Sequence, residues 1–132
     1  MEFNEYQKLA KTTAKFEKNP YSIEGFNELS TGSKDTIENV FDFSNVSYLC
    51  LGLVGEAGEV AGKVKKVWRD SNGEFSEEVE NNIKSELGDV LWYLSNLCSI
   101  FDFTLEDVAN KNYEKLKDRM ARNVISGSGD NR

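Results

Sequence analysis

The chain has 132 residues, of which 39% are hydrophobic and 30% charged, a balance that excludes a wholly disordered chain and favours one domain with a single core. Sixteen Lys and Arg against 23 Asp and Glu leave a net charge of −7, the wrong sign for a broad nucleic-acid-binding surface. Histidine is absent, which excludes histidine-based catalytic triads and imidazole zinc sites.

The sequence also argues against a membrane or secreted protein. Its longest apolar stretch, residues 91–101, is too short to cross a bilayer. The N-terminus lacks the basic and then apolar segments of a secretory signal. We therefore expect a cytoplasmic protein with no membrane or nucleic-acid partner. Cys50 and Cys98 have no metal-site spacing, and both are predicted to be small buried hydrophobic residues.

One proline and no alternating apolar pattern predict an all-α protein similar to a four-helix bundle. The first helix is predicted from an N-cap at Asn4 to about Lys18, just before Pro20. Its predicted inner face is formed by Tyr6, Leu9, Ala10 and Thr13. Residues 20–43 are poorly periodic and are predicted to form a loop insertion with a short helix near residues 34–40.

Regular spacings of three and four residues predict three further helices. The second covers about residues 45–69 and ends before a turn at residues 70–73, with the predicted seam Val46, Cys50, Leu53, Ala57, Val60, Val64 and Val67. The third begins near Ser76 and has the seam Ile83, Leu87, Val90, Leu94, Leu97 and Phe101. The fourth runs from an N-cap at Thr104 to about Arg122. Residues 1–125 form the predicted domain and residues 126–132 a flexible Gly/Ser-rich tail.

Two pairs of carboxylates have the same position relative to these seams. Each member directly precedes a seam residue: Glu56 and Glu59 on the second helix, Glu86 and Asp89 on the third. If the two helices pack antiparallel, all four carboxylates can meet at one edge of the core. Their repulsion would favour a cation among them, and Mg²⁺ or Mn²⁺ prefers such oxygen ligands. Ordinary solvated helix carboxylates are the alternative interpretation.

Other residues near these helices have two interpretations each. Asn112, Lys115 and Arg119 continue an apolar stripe of the fourth helix and could hold phosphate oxygens. Alternatively, the two cations could simply stabilise the C-terminal end of the helix through its dipole. Lys63 is a weaker phosphate candidate, and Tyr93 is either a core residue or a neighbour of a nucleobase. A line of glycines permits either tight helix packing or close approach of a ligand: Gly52, Gly55, Gly58 and Gly62.

Three motifs resemble those of the MazG-like nucleoside triphosphate pyrophosphohydrolases. They are Gly55-Glu56-Ala57-Gly58-Glu59-Val60, then Glu86-Leu87-Gly88-Asp89-Val90-Leu91-Trp92-Tyr93, then the spaced set Val108, Asn112, Lys115, Leu116 and Arg119. This all-α superfamily also contains dimeric dUTPases and phosphoribosyl-ATP pyrophosphatases. The resemblance covers roughly residues 44–132, with a looser match over residues 4–16.

The resemblance implies Mg²⁺-dependent hydrolysis of a nucleoside triphosphate to the monophosphate and pyrophosphate. It implies that the metal is held by Glu56, Glu59, Glu86 and Asp89, and the phosphates by Asn112, Lys115 and Arg119. A metal-activated water would be the nucleophile, with Glu56 or Glu59 accepting its proton. A homodimer or homotetramer is also implied. The alternatives are a related hydrolase of an alarmone or phosphoribosyl-ATP, and a non-catalytic helical oligomerisation module.

Overall fold

The computed structural model describes residues 1–14 and 34–124, with side chains from residue 45 onwards in the second stretch. It contains four helices, α1 (Phe3–Thr13), α2 (Lys34–Asp70), α3 (Glu77–Ile100) and α4 (Leu105–Ala121). These described stretches contain no strand, which confirms the predicted all-α class. The predicted loop over residues 20–33 and the tail 126–132 lie outside the described residues. No described helix is long and apolar enough to cross a membrane.

The long helix α2 differs from its prediction in one respect. It is continuous for 37 residues, so the helix predicted at residues 34–40 is its first part and no break separates the two. Residues 34–51 contain neither glycine nor proline, and weak apolar periodicity alone does not end a helix. The end at Asp70 agrees with the prediction, since Asn72 and Gly73 follow with positive φ angles of 50° and 85°.

Helices α2 and α3 form an antiparallel hairpin, which is the main helix contact of the fold. The turn over residues 71–76 ends at Ser76, whose Oγ accepts a hydrogen bond from the Val79 N–H at 3.3 Å and caps α3 as predicted. Glu77 and Glu78 place negative charge in the first turn, where the helix dipole favours it. This short connection fixes which residues of the two helices face each other.

The contact faces of the hairpin are rotated relative to the predicted seams. On α2 the inward residues are Leu49, Leu53, Glu56, Val60, Lys63 and Val67, whereas the predicted seam residues Cys50, Ala57 and Val64 are exposed. On α3 the predicted seam residues Leu87 and Phe101 are half exposed. Both α2 stripes have spacings of three and four, so periodicity alone does not choose between them. The prediction of a buried Cys50 is therefore wrong, while that of a buried Cys98 is confirmed.

Helix α1 is shorter than predicted and begins earlier. Glu2 is its N-cap residue, and Asn4 lies inside the helix, where its side-chain amide donates a hydrogen bond to Glu106 of α4. The helix ends at Thr13 and not at Lys18. Thr12 and Thr13 donate side-chain hydrogen bonds to backbone carbonyls three residues earlier, a competing interaction that disfavours continuation of a helix.

Gln7 joins α1 to the corner between α3 and α4. Its Nε2 donates hydrogen bonds to Ser99 Oγ at 3.1 Å and to the Phe103 carbonyl at 2.8 Å. Its Oε1 accepts a hydrogen bond at 2.8 Å from the Leu105 N–H, the first residue of α4. Since the first N–H groups of a helix have no partner within the helix, Gln7 supplies one from α1.

Helix α4 has the predicted start, with Thr104 Oγ1 accepting a hydrogen bond from the Asp107 N–H at 3.0 Å. It ends at Ala121, close to the predicted end at Arg122. Leu105 and Arg119 are buried, but Tyr113 and Met120 are mostly exposed. Among the described helices, α4 makes its main contact with α1.

Candidate metal and active site

Three carboxylates meet where the middle of α2 faces the first half of α3. Glu56, Glu86 and Asp89 each offer an oxygen, and these oxygens all lie within 4.8 Å of one another. Glu56 and Glu86 are half-buried, and Asp89 is exposed. The antiparallel hairpin brings the two helices together here, and the spacing of three residues puts Glu86 beside Asp89 on one face. The structure therefore brings together three of the four carboxylates predicted to hold a metal.

The fourth predicted carboxylate, Glu59, stands outside this cluster and is exposed. It lies one turn beyond Glu56 on α2, and its charge contributes to the raised pKa of Glu56. Glu59 therefore adds to the negative potential of the site without being one of its three converging ligands.

The cluster changes the acidity of Glu56. Desolvation raises the pKa of its carboxyl group above the usual value, and the charges of Asp89, Glu86 and Glu59 raise that pKa further. The protonated form is also favoured by a hydrogen bond with Glu86. The clustered carboxylates thus oppose one another's ionisation, a repulsion that a cation among them would relieve.

Lys63 supplies a positive charge at this site. Its Nζ lies 3.0 Å from Glu86 Oε1, and both side chains are largely shielded from solvent. The sequence made Lys63 a weaker candidate for a phosphate contact, and the structure places it on one of the clustered carboxylates. Three hard oxygen donors with an ammonium group beside them are a donor set that suits a divalent cation.

A cavity of about 310 Å³ opens beside Lys63 at the turn of the hairpin. Lys66 also lines it, together with polar groups of Asp70, Ser71 and Asn82. Two lysines and the Asp70 carboxylate therefore line the cavity, and Lys63 also contacts Glu86 of the carboxylate cluster. The lysine ammonium groups are suited to contact phosphate oxygens.

Tyr93 lies in an aromatic group beside the carboxylates. Its ring centroid is 6.2 Å from that of Tyr48 on α2 and 5.0 Å from that of Trp92, which it meets edge-on. Burial raises the pKa of Tyr93 to about 12, together with hydrogen bonding to Tyr48 and the charges of Glu56 and Asp89. The structure thus places Tyr93 next to the cluster, as the sequence predicted.

Two tyrosines near the site were not predicted to be there. Tyr48 lies two turns before Glu56 on the same side of α2. This spacing in the sequence could have predicted that Tyr48 lies near the carboxylates. Tyr6 was predicted only for the inner face of the first helix. Burial raises the pKa of its hydroxyl, and so does the charge of Asp89, which shows that α1 reaches toward the site.

The predicted phosphate contacts belong to a different part of the molecule. Asn112 and Lys115 are exposed on α4, and Arg119 is buried near its end. Their helix packs mainly on α1, whereas the carboxylates belong to the hairpin. The structure therefore does not place these side chains in the carboxylate cluster, and their role stays a prediction.

Of the four glycines in the predicted line, one has a close neighbour. The ring of Tyr93 lies against Gly52. A Cβ added at Gly55, Gly58 or Gly62 would meet nothing within 4 Å in the part of the chain that the structure describes. Close packing is thus observed at Gly52 alone among these described glycines.

The MazG nucleotide pyrophosphohydrolase domain matches residues 44–123. The chain belongs to this family. Its match runs from within α2 to just beyond α4, and so includes the carboxylate cluster and the predicted phosphate contacts. Membership of the MazG family indicates nucleotide pyrophosphohydrolase activity and agrees with the all-α fold.

A relative supports the same family assignment. The chain is 46% identical over 101 residues to the Gene 37 protein of Mycobacterium phage L5. The aligned segment covers 76% of this chain and 83% of that protein. No solved structure matches the chain at a significant level.

Proposed function

We propose that this MazG family member hydrolyses ribo- or deoxyribonucleoside triphosphates to the monophosphate and pyrophosphate in a Mg²⁺-dependent reaction, acting in the cytoplasm. The observation that supports it most is the meeting of Glu56, Glu86 and Asp89, with oxygens within 4.8 Å of one another, on the hairpin of the family domain. Such a cluster repels a triphosphate unless a cation lies between them.

Glu56, Glu86 and Asp89 would hold the metal ion, and Glu59 would join them from the next turn of α2. Mg²⁺ is the expected ion and Mn²⁺ a workable substitute, since both prefer hard oxygen ligands. When bound, the ion would neutralise triphosphate charge and lower the pKa of a coordinated water. Lys63 would then exchange its contact with Glu86 for a contact with the phosphate chain.

Glu56 is the proposed acceptor of the proton from the attacking water, with Glu59 as the second candidate. Glu56 is favoured because its carboxylate is one of the three that meet in the cluster, whereas that of Glu59 lies outside it. The reaction needs no covalent intermediate, since water attacks the phosphorus directly.

The remaining substrate contacts are proposed from α4, from Tyr93 and from the cavity beside Lys63. Asn112, Lys115 and Arg119 of α4 would hold phosphate oxygens. Tyr93 would contact the nucleoside, since its aromatic ring lies beside Glu56 and Asp89 and can pack against a base. The cavity lined by Lys63 and Lys66 would receive the end of the phosphate chain.

We also propose that the protein forms a homodimer or homotetramer. The outer face of α2 is defined by three exposed apolar residues. Their side chains are 75% exposed at Leu51, 71% at Val54 and 81% at Trp68. Large apolar side chains exposed in a row favour burial against another protein surface. Light scattering on the purified protein measures the mass, and we expect two or four chains.

The reaction is tested by pyrophosphate release from a panel of ribo-, deoxyribo- and modified nucleoside triphosphates, with Mg²⁺ and with EDTA. We expect Mg²⁺-dependent release of pyrophosphate from a subset of the panel, with no orthophosphate. Orthophosphate as the first product would contradict the proposed bond cleavage. If no triphosphate is cleaved, an alarmone and phosphoribosyl-ATP are the next substrates to assay. Failure of these too, together with no metal binding, would favour the helical oligomerisation module.

A further inference from the structure

The ring of Tyr93 occupies the space that a side chain at position 52 would need. A Cβ built on Gly52 would lie 2.1 Å from Tyr93 Cε1, 2.4 Å from Cζ and 2.6 Å from Cδ1. Real Cβ atoms do not come this close to a ring carbon. The observed position of Tyr93 therefore requires glycine at position 52.

The ring is also held from its other sides. Trp92 meets it edge-on, and Tyr48 packs at a tilt of 51°. Trp92 is itself fixed, because its indole N–H donates a hydrogen bond at 2.8 Å to Thr13 Oγ1 of α1. A side chain at position 52 would therefore push the ring away from the α2 backbone.

Position 52 is coupled to the carboxylate cluster by helix spacing. Gly52 lies one turn before Glu56, and Tyr93 lies one turn after Asp89, so the contact between ring and backbone borders the cluster directly. The proposed function places the nucleoside of a bound triphosphate against this ring, beside the carboxylates.

We propose that Gly52 is a positioning residue for substrate selection: its missing side chain lets the Tyr93 ring lie against α2 and keeps the space beside the carboxylates wide enough for a large base. This inference rests on the proposed function. A methyl group at position 52 pushes the ring outward and narrows that space, which affects large bases more than small ones.

The test compares Gly52→Ala with Gly62→Ala. Gly62 lies on the same helix as Gly52, and a Cβ there would meet nothing within 4 Å among the described atoms. Both changes replace a mid-helix glycine by alanine and gain the same intrinsic helix propensity. Kinetic constants for purine and pyrimidine triphosphates are measured with Mg²⁺, together with near-ultraviolet circular dichroism.

For Gly52→Ala we expect KM to rise about 10-fold for purine substrates and less for pyrimidine substrates, with kcat changed less than about twofold, since a displacement of about 1 Å weakens positioning. The near-ultraviolet spectrum should change, because Tyr93, Trp92 and Tyr48 are in contact. Gly62→Ala should show neither change.

A second pair of variants keeps the proposal testable if Gly52→Ala folds poorly. Tyr93→Leu removes the ring, so Gly52→Ala made in that background should no longer destabilise the protein in thermal unfolding. An equal loss of stability in both backgrounds would overturn the proposed contact.

The outcomes separate this inference from the proposed function. Unchanged purine and pyrimidine KM values in Gly52→Ala, with an active wild-type enzyme, would overturn the role in substrate selection alone. A wild-type protein inactive on every triphosphate would overturn the proposed function and, with it, substrate selection. In that case the spectrum and the double variant still show whether Gly52 positions the ring.

Discussion

The hairpin of α2 and α3 and the pair of α1 and α4 are held together by different kinds of interaction. The hairpin packs along the length of α3, with Leu49 and Val67 almost completely buried. Helix α4 is attached at its first turn by polar groups of α1, chiefly the Gln7 amide, and exposes Tyr113 and Met120 further along. Apolar packing fixes the hairpin, whereas the start of α4 is fixed by hydrogen bonds from α1 and by the buried Leu105. Helix α1 itself packs mainly on α3.

This difference divides the candidate site into two parts. The carboxylates belong to the hairpin, and a short turn of six residues determines how they meet. The proposed phosphate contacts belong to α4, whose position depends on α1, a helix outside the family match over residues 44–123. Metal binding should therefore depend on the hairpin alone, and substrate affinity on both units.

The largest effect is expected from removal of a clustered carboxylate. Asp89→Ala or Glu86→Ala should lower kcat on the order of 1,000-fold, because the cation that stabilises the developing charge loses a ligand. For Asp89→Ala, the metal-free fold should be retained or slightly stabilised, since one source of repulsion on Glu56 is gone. Turnover, circular dichroism and Mn²⁺ binding by electron paramagnetic resonance measure these effects.

The matched control is Glu80→Ala, which removes an exposed carboxylate from the same helix outside the cluster. It should bind Mn²⁺ and turn over substrate like the wild type. Full turnover in both Asp89→Ala and Glu86→Ala would show that the metal site lies elsewhere.

A smaller effect on activity is expected from substitutions of the predicted phosphate contacts on α4. Lys115→Ala or Asn112→Ala should raise KM for the triphosphate about 10-fold, since one contact to a phosphate oxygen is worth roughly 1–2 kcal/mol. Mn²⁺ binding in the absence of nucleotide should stay at the wild-type value, because the hairpin is untouched. Steady-state kinetics and metal titration check the two halves of this expectation.

Lys117→Ala is the control on the same helix. Lys117 is exposed, and its Nζ lies 3.9 Å from Glu114 Oε2, a surface ion pair that contributes little. If KM rose equally in Lys117→Ala, the rise in Lys115→Ala would come from a general loss of positive charge and not from a lost phosphate contact. Loss of metal binding in Lys115→Ala would contradict the division of the site into two parts.

Features specified by neighbouring residues could be predicted from the sequence. The N-caps Ser76 and Thr104 each use a side chain that bonds three residues ahead, and both were found. The turn after Asp70 was found because Asn72 and Gly73 accept the positive φ angles that end a helix. The meeting of Glu56 with Glu86 and Asp89 followed from the antiparallel hairpin, which short connections favour.

Features decided by packing between helices were predicted only in part, since Leu53, Val60 and Val67 of the predicted seam face inward but Cys50, Ala57 and Val64 do not. Two stripes of α2 have the same spacing, and only contact with α3 selects the one that contains Glu56 and excludes Ala57. The same rotation explains why Glu59 stands outside the cluster and why Lys63 turns inward to Glu86. Side-chain charge and length, which periodicity ignores, decided these contacts.

The smallest effect on activity is expected at the junction of the two units. Gln7→Ala removes the acceptor of the Leu105 N–H and the donor to Ser99 and Phe103, so the free energy of unfolding should fall by about 1 kcal/mol. The first turn of α4 should exchange its amide hydrogens faster, while kcat changes less than about twofold and Mn²⁺ binding is unchanged. Lys8→Ala, an exposed change on the same helix, controls for helix propensity. If Gln7→Ala weakened metal binding as strongly as Asp89→Ala does, the carboxylates would depend on α1, and the hairpin would not be a self-sufficient metal-binding unit.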